Sequence, residues 1–303
     1  MKIYQINNLE KKITKFYDLK MKEITDETLL NNFQKVALGF PKAILYAPPL
    51  KRKIYAIVED SVGRTQYFYT KNYVEKKDVE KFKGFIKKFL LIKDILEECR
   101  REERDEKMNE IYNAVLLIYN CNFRVGNDKY KKLYDTNGAV TIRKENLRML
   151  PEGIKISFIG KKKELNESVL RREDEPKLYD FLRKIYLRHR NEDIFKNINY
   201  ENVYDFLRDK GTKPKDIRMI SANEIFFKEM KNNKLKRNLK PSEVKKYLKE
   251  VLDRTSERMN HTSAVCRKKY LLPNWFDIDK INYGRVRRYN LEDYLKKQFR
   301  FKV

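Results

Sequence analysis

Apolar residues recur at helical spacing through the middle of the chain. A run that begins at Val79 repeats at three- and four-residue steps, and a second run begins at Met108 after a charged break. The apolar positions of these two runs are Phe82, Phe85, Ile86, Phe89, Ile92 and Leu96, then Ile111, Tyr112, Val115, Leu116 and Tyr119. The pattern predicts two amphipathic helices, and the second one delivers Arg124 at its end.

Helical patterns return in the second half of the chain. Further helices are expected to begin near Pro176, Val203, Pro214, Pro241 and Leu291. Asn260 is expected to end the helix that begins at Pro241. Ser263 is expected to cap a short helix that Pro273 ends. The C-terminal part of the chain is therefore predicted to be mainly helical.

The N-terminal part has a different pattern. A helix is expected over Asp26 to Leu38, and strands over Ala43 to Ala47, Ile54 to Glu59 and Arg64 to Tyr69. The charged stretch from Lys71 to Asp78 has no clear period and is interpreted as a linker. These patterns predict an α+β protein with a β-rich N-terminal domain over residues 1–74 and a larger, mainly helical domain over residues 75–303.

One hairpin interrupts the helical part. Ile154 to Ile159 alternates apolar and polar residues, Gly160 to Lys163 forms a turn, and Leu165 to Leu170 can return as the second strand. Asn137 to Thr141 is interpreted as a loop that leads into a helix. Lys162 and Lys163 are either phosphate contacts or solvated lysines of the turn.

Composition indicates a polyanionic partner. The chain has 303 residues, of which 41% are hydrophobic, and its 70 Lys and Arg residues exceed its 44 Asp and Glu residues, for a net charge of +26. Such a field favours nucleic acid. A lysine-rich composition from an AT-rich genome is the alternative, but that bias alone does not produce so large an excess of Lys over Glu.

The sequence offers little for metal sites, disulfides or membrane insertion. Cys99, Cys121 and Cys266 are widely separated, and two histidines are too few for a His-rich site. His189 has no partner pattern and is expected at the surface. No signal peptide or membrane span is recognisable. A soluble, non-secreted protein of a reducing compartment is expected.

His261 and Tyr270 are suitable parts for phosphodiester chemistry. They lie nine residues apart, so a continuous helix would place them on opposite faces, and a shared site requires a break between them. Arg218 follows the start of the helix that begins at Pro214. Tyrosine can attack phosphorus, while arginine and histidine can donate to the oxygens that gain charge. The alternative is that His261 fills a polar gap and Tyr270 is a core aromatic.

Five positions carry a resemblance to a known family. Arg124 lies in Asn-Phe-Arg-Val-Gly, Lys161 ends Phe-Ile-Gly-Lys and Arg218 ends Lys-Asp-Ile-Arg, and His261 and Tyr270 complete the set. From about residue 63 to about residue 282, the chain resembles the type IB DNA topoisomerases, in particular the small poxvirus-like enzymes. Members of that family carry Arg, Lys, Arg, His and Tyr in this order, with the last pair at this spacing.

The resemblance implies a mechanism. Tyr270 would form a transient 3′-phosphotyrosyl link on one strand of duplex DNA, and Lys161 would protonate the leaving 5′-oxygen. Arg124, Arg218 and His261 would bind the non-bridging oxygens. The enzyme would relax supercoils without ATP, metal or any cofactor.

The resemblance also implies DNA contacts outside the catalytic set. The matched positions are Arg64, Gln66, Tyr67 and Tyr69 in the N-terminal domain, and Lys129 and Tyr130 in the larger one. A monomer that closes as a clamp around DNA is expected, located wherever that DNA is. For a viral enzyme this is the virion or the viral replication site, and otherwise it is the cytoplasm or nucleoid. For the run around Tyr67 and Tyr69, the alternative is a strand with an aromatic core face.

Two other functions are considered. Tyrosine recombinases share this fold and much of the catalytic set, but they usually carry His three residues before the second arginine, where this chain has Lys215. No separate helical core-binding bundle precedes the catalytic part either. A non-enzymatic DNA-binding protein of the same fold is the second alternative, and the intact set of five argues against it.

Overall fold

The computed structural model describes residues 2–8, 13–18, 20–25, 42–46, 53–60, 63–188, 192–232, 240–277, 281 and 283–299. The chain divides into two compact units, Met1–Lys81 and Phe82–Val303. The domain division at residues 74 and 75 stays a prediction. The expected helix over Asp26 to Leu38 and the expected exposure of His189 lie outside the described residues.

The N-terminal unit contains an antiparallel sheet of five strands. The strand order is β2-β1-β3-β4-β5. The strands are β1 Lys2–Asn8, β2 Ile13–Asp18, β3 Lys42–Tyr46, β4 Ile54–Glu59 and β5 Thr65–Tyr69. The three predicted strands are confirmed as β3, β4 and β5, within one or two residues at their ends.

The β5 strand lies at the edge of this sheet and turns its tyrosines outward. Tyr67 is 51% exposed and Tyr69 is 42% exposed, whereas Ala56 and Val58 on neighbouring β4 are buried. Tyr69 stacks on Tyr73, with ring centroids 5.1 Å apart. The interpretation of β5 as a strand with an aromatic core face is therefore wrong.

The predicted linker is helical. The first described helix, α1, runs over Lys71–Arg100 and includes the whole stretch from Lys71 to Asp78. The sequence misled because these residues have no apolar stripe. Lysine and glutamate nevertheless have high helix propensity, and a solvated turn can extend a helix that packing holds further along the chain.

The second unit is built from helices around one apolar core. Two of them, α2 and α6, are buried on most sides and occupy its centre. The helices predicted to begin near Met108, Pro176, Val203, Pro214, Pro241, Ser263 and Leu291 are confirmed, and α3 and α9 are additional. These helices are α2 Glu106–Cys121, α3 Asp128–Tyr134, α4 Pro176–Tyr186, α5 Tyr200–Asp209, α6 Pro214–Asn232, α7 Pro241–Arg258, α8 Ser263–Lys269, α9 Tyr283–Arg288 and α10 Leu291–Phe299.

A three-stranded antiparallel sheet lies against these helices. It consists of β6 Leu147–Leu150, β7 Gly153–Ile159 and β8 Leu165–Leu170 in that order. The predicted hairpin is confirmed as β7 and β8. The helix expected after Thr141 is replaced by one 3₁₀ turn and β6, because the strand pairs with β7 and gains hydrogen bonds that local sequence does not show. Phe158 of β7 packs edge-on against Phe123, with ring centroids 4.7 Å apart.

The helices of the described residues do not include one long and apolar enough to cross a bilayer. Within the same part of the chain, no cluster of His, Cys, Asp and Glu side chains has the arrangement of a metal site. The described protein is thus a mixed α+β structure with a strand-containing N-terminal part and a mostly helical body, as predicted.

Candidate active site

A buried arginine, itself one of the five predicted residues, binds two of the others. Arg218 lies in the second turn of α6 and is 5% exposed. Its Nη1 donates to Tyr270 Oη at 2.6 Å, its Nη2 donates to His261 Nε2 at 2.8 Å, and its Nε donates to the carbonyl oxygen of Asn122 at 2.8 Å. One guanidinium therefore fixes the tyrosine hydroxyl and the imidazole in a single site.

The turn between α7 and α8 brings His261 and Tyr270 together. Asn260 adopts a left-handed conformation with φ 51°. Its N–H donates to Glu257 and the N–H of His261 donates to Ser256, which is the Schellman arrangement that ends a helix. The predicted end at Asn260 is confirmed. The expected cap is wrong by one residue, because Thr262 accepts from the N–H of Val265 and Ser263 begins α8.

The break between α7 and α8 lets His261 and Tyr270 face each other, which one continuous helix with their nine-residue spacing would prevent. The rings of His261 and Tyr270 stack with centroids 5.0 Å apart, and the Arg218 guanidinium lies 4.8 Å from the centre of the Tyr270 ring. Tyr270 is only 6% exposed. Tyr270 belongs to the buried core, as the alternative interpretation of the two residues expects, but its hydroxyl also accepts from Arg218.

Arg124 lies beside this group. It follows the end of α2, where Asn122 has φ 58°. The carbonyl oxygen of Arg124 accepts from the N–H of Ala139 at 2.7 Å. Gly138 is required there, because a Cβ would come within 2.6 Å of that oxygen and within 2.5 Å of Gly126. The positive charge of Arg124 is close enough to lower the pKa values of both Arg218 and His261.

Lys161 lies in the exposed turn between β7 and β8. Gly160 begins the turn, and the side chain of Asn166 packs so closely that a Cβ at Gly160 would lie 2.3 Å from its amide. The carbonyl oxygen of Ile159 accepts from the N–H of Asn137 at 2.8 Å, next to the glycine that supports Arg124. Among the described residues, no hydrogen bond or ion pair joins Lys161 itself to the other four.

Electrostatics determine the protonation of the site. Burial, followed by the charges of Arg218 and Arg124, lowers the pKa of His261 to about 3. The imidazole is therefore neutral at neutral pH, and its Nε2 accepts from Arg218. Burial also lowers the pKa of Arg218 to about 10. The attraction of Tyr270 opposes this shift, and the positive charge of Arg124 adds to it. Arg218 still carries its charge at neutral pH.

This shift predicts an acid-sensitive folded state. Below about pH 6.5 an unfolded His261 takes up a proton that the folded protein rejects until about pH 3, so stability present above pH 6.5 is lost as the pH falls. We expect His261→Gln to reduce the loss of unfolding free energy between pH 7.5 and pH 5 by about 1 kcal/mol, after discounting for partial exposure. Urea unfolding at both pH values, compared within each protein, measures this. An unchanged difference would contradict the neutral imidazole.

Sequence reasoning missed Asn223. It is fully buried on α6, and its amide donates to the carbonyl oxygen of Tyr270 at 3.0 Å. Its Oδ1 accepts from the N–H of Leu272 at 3.1 Å and from Nε1 of Trp275 at 2.6 Å. The residue thus fixes the backbone from Tyr270 to Leu272, directly after the tyrosine. An asparagine inside an apolar stretch of helix, five residues after Arg218, was the available signal.

The predicted DNA contacts outside this group are exposed. Lys129 and Tyr130 lie on α3, whose first turn is capped by Asn127. Tyr130 is 57% exposed and stacks on Tyr134, with ring centroids 6.0 Å apart. In the N-terminal unit, Arg64 donates to Asp60 at 2.9 Å. Gln66 is exposed and also donates to Asp60, at 3.3 Å.

Comparison with known proteins identifies the family. The model of "Eukaryotic DNA topoisomerase I, catalytic core" matches residues 70–281, well over half of the chain. This chain belongs to the type IB DNA topoisomerase family. It is 27% identical to DNA topoisomerase 1B of vaccinia virus (strain Copenhagen) over 226 residues, which are 73% of this chain and 71% of that protein.

Two further viral relatives agree. DNA topoisomerase I of monkeypox virus is 26% identical over 226 residues, 73% of this chain and 71% of that protein. DNA topoisomerase 1B of Acanthamoeba polyphaga mimivirus is 25% identical over 241 residues, 72% of this chain and 70% of that protein. All three relatives are named as topoisomerases. This confirms the interpretation of the sequence as a type IB topoisomerase and gives no support to the recombinase alternative.

Proposed function

We propose that this topoisomerase cleaves one strand of duplex DNA with Tyr270 as its nucleophile. The supporting observation is the hydrogen bond from Arg218 to Tyr270 Oη inside a buried site. The phenolic oxygen loses its proton to water as it forms a bond to phosphorus, and the bond from phosphorus to the 5′-oxygen breaks. The products are a 3′-phosphotyrosyl link and a free 5′-hydroxyl.

The other residues of the site stabilise the charge that develops. Arg218 already presents two N–H groups towards Tyr270 Oη and His261 Nε2. A phosphate that approaches the hydroxyl therefore comes within reach of the same guanidinium, and of Arg124 beside it. Donors held in a buried site stabilise a developing negative charge strongly, because water does not compete with them.

Lys161 is proposed as the general acid. Its turn is exposed, so its ammonium group is accessible to a bound duplex. It would give a proton to the departing 5′-oxygen and take one back during rejoining. Because the phosphotyrosyl link preserves the energy of the broken bond, rejoining needs no ATP, and the residues proposed here require no metal ion. The cut strand rotates before rejoining, which relaxes supercoils.

The proposed DNA surface extends beyond the catalytic group. Tyr67 and Tyr69 on edge strand β5 and Tyr130 on α3 are exposed aromatics with basic neighbours, a combination suited to sugar and phosphate contacts. The net charge of +26 supplies the long-range attraction. We propose that the protein acts as a monomer and that its N-terminal unit closes on the duplex as a clamp, at the site of the DNA it serves.

A plasmid assay tests the proposal. The purified protein should relax both negatively and positively supercoiled plasmid in EDTA without ATP. Relaxation should proceed through partly relaxed topoisomers, because each nick allows rotation before rejoining. A requirement for ATP or Mg²⁺, or relaxation of one sign only, would contradict it.

A further inference from the structure

The side chain of Asn260 binds the hairpin that carries Lys161. Its Oδ1 accepts from the N–H of Glu167 at 3.0 Å, and its Nδ2 donates to the carbonyl oxygen of Glu167 at 3.2 Å. Glu167 lies on β8, an edge strand of its sheet. One amide thus pairs with the strand as a neighbouring strand would, across 93 residues of sequence.

Glycine and asparagine both suit the position of Asn260 in the turn, and the two differ in what the side chain can bind. Asn260 occupies the left-handed position of the Schellman turn, with φ 51°. Glycine is the usual residue there, because any Cβ makes that conformation less favourable. Glycine would end the helix equally well. The asparagine adds the two hydrogen bonds to β8, which glycine cannot make.

These bonds connect the hairpin that carries Lys161 to the turn that carries His261. On one side, the carboxylate of Glu167 binds Lys155 at 2.8 Å and Ser157 at 2.9 Å on β7, so the hairpin is held firmly across both strands. The N–H of Gly160 donates to the carbonyl oxygen of Glu164 and closes the turn that contains Lys161. On the other side, Asn260 directly precedes His261, whose ring stacks on Tyr270.

We propose that Asn260 is a positioning residue that holds the lysine turn in register with His261 and Tyr270. The inference rests on the proposed role of Lys161. In a displacement at phosphorus the nucleophile and the leaving oxygen lie on opposite sides, so the acid and the tyrosine must keep a fixed separation. Misplacing a catalytic group by about 1 Å can cost about 10²-fold in rate, and Asn260 ties the two supporting segments together.

Asn260→Gly separates this role from folding. Glycine keeps the turn and removes only the amide, so thermal stability should be nearly unchanged. The matched control for folding is Met21→Gly, which also replaces a residue of positive φ and whose side chain is 60% exposed. On ordinary DNA at saturating enzyme, we expect Asn260→Gly to slow single-turnover cleavage about 10-fold, within the cost of modest misplacement.

A substrate with a sulfur leaving group tests whether Asn260 acts through Lys161. With sulfur in place of the 5′-bridging oxygen, the leaving group needs no proton, so Asn260→Gly should cleave nearly as fast as the unchanged enzyme. In a Lys161→Ala background, Asn260→Gly should cost less than about 2-fold, because both changes remove the same contribution. An unchanged rate on ordinary DNA would overturn the inference. Equal slowing on both substrates would overturn it too, and would show that Asn260 acts through His261.

Different results would overturn the proposed mechanism and the proposed role of Asn260. If sulfur does not restore cleavage by Lys161→Ala itself, then Lys161 is not the acid, and the proposed mechanism and its positioning residue are overturned together. If sulfur restores Lys161→Ala while Asn260→Gly cleaves ordinary DNA at the normal rate, the mechanism stands and only the role of Asn260 is overturned.

Discussion

Tyr270→Phe is expected to abolish both the covalent adduct and plasmid relaxation while duplex binding is retained. The change removes one oxygen and keeps the ring, so the stack on His261 and the buried packing persist. Without the phenolic oxygen no phosphotyrosyl bond can form. The measurements are denaturing gel analysis of end-labelled DNA for the adduct and a filter or mobility assay for binding.

The matched control is Tyr289→Phe. The hydroxyl of Tyr289 binds Lys297 at 3.1 Å near the C-terminal helix, and its loss should leave cleavage unchanged. Residual adduct in Tyr270→Phe would assign the nucleophile to another tyrosine, with Tyr283 and Tyr289 as the next candidates. Loss of DNA binding in Tyr270→Phe would instead mean that the hydroxyl is needed to keep Arg218 in place.

Lys161→Ala is expected to slow cleavage of ordinary DNA by about 10²- to 10⁴-fold, the usual contribution of a general acid. An alkoxide leaves poorly without a proton, whereas a thiolate leaves readily. When sulfur replaces the 5′-bridging oxygen, Lys161→Ala should therefore cleave nearly as fast as the unchanged enzyme. Rapid-quench cleavage of both substrates at saturating enzyme measures the two rates.

Two variants control this experiment. Lys163→Ala removes a lysine from the same turn and should have a far smaller effect on ordinary DNA. Arg218→Ala should be slow on both substrates, because its proposed partners are the non-bridging oxygens and not the leaving group. If sulfur restored Arg218→Ala and left Lys161→Ala slow, the two roles would be wrong, and the acid would have to be sought at Arg124 or Lys215.

Much of the fold follows from local sequence. Helices such as α2 and α7 and the β7–β8 hairpin were predictable because a period of 3.6 or 2 and the end signals involve only near neighbours. The same holds for the helix end at Asn260. The five residue types in their motifs indicated the family, and the chain matches that family model over residues 70–281.

Where local pattern was weak, packing decided. The charged residues from Lys71 to Asp78 carry no apolar stripe, yet they begin α1. Alternation in β5 predicted a strand but not which of its faces would be covered, and the structure leaves Tyr67 and Tyr69 exposed. Either face of an edge strand can be buried, so the choice depends on what packs against the sheet and not on the strand itself.

By itself, the sequence determined the types of the proposed catalytic residues, their order, and the requirement for a break between His261 and Tyr270 if they share a site. Only the tertiary structure decided how three of them, Arg218, His261 and Tyr270, meet. Arg218 reaches Asn122, His261 and Tyr270 across 96, 43 and 52 residues, and Asn260 reaches Glu167 across 93. The physical reason is that periodicity and capping act between residues a few positions apart, whereas these hydrogen bonds form only after the helices and the hairpin have packed around one core.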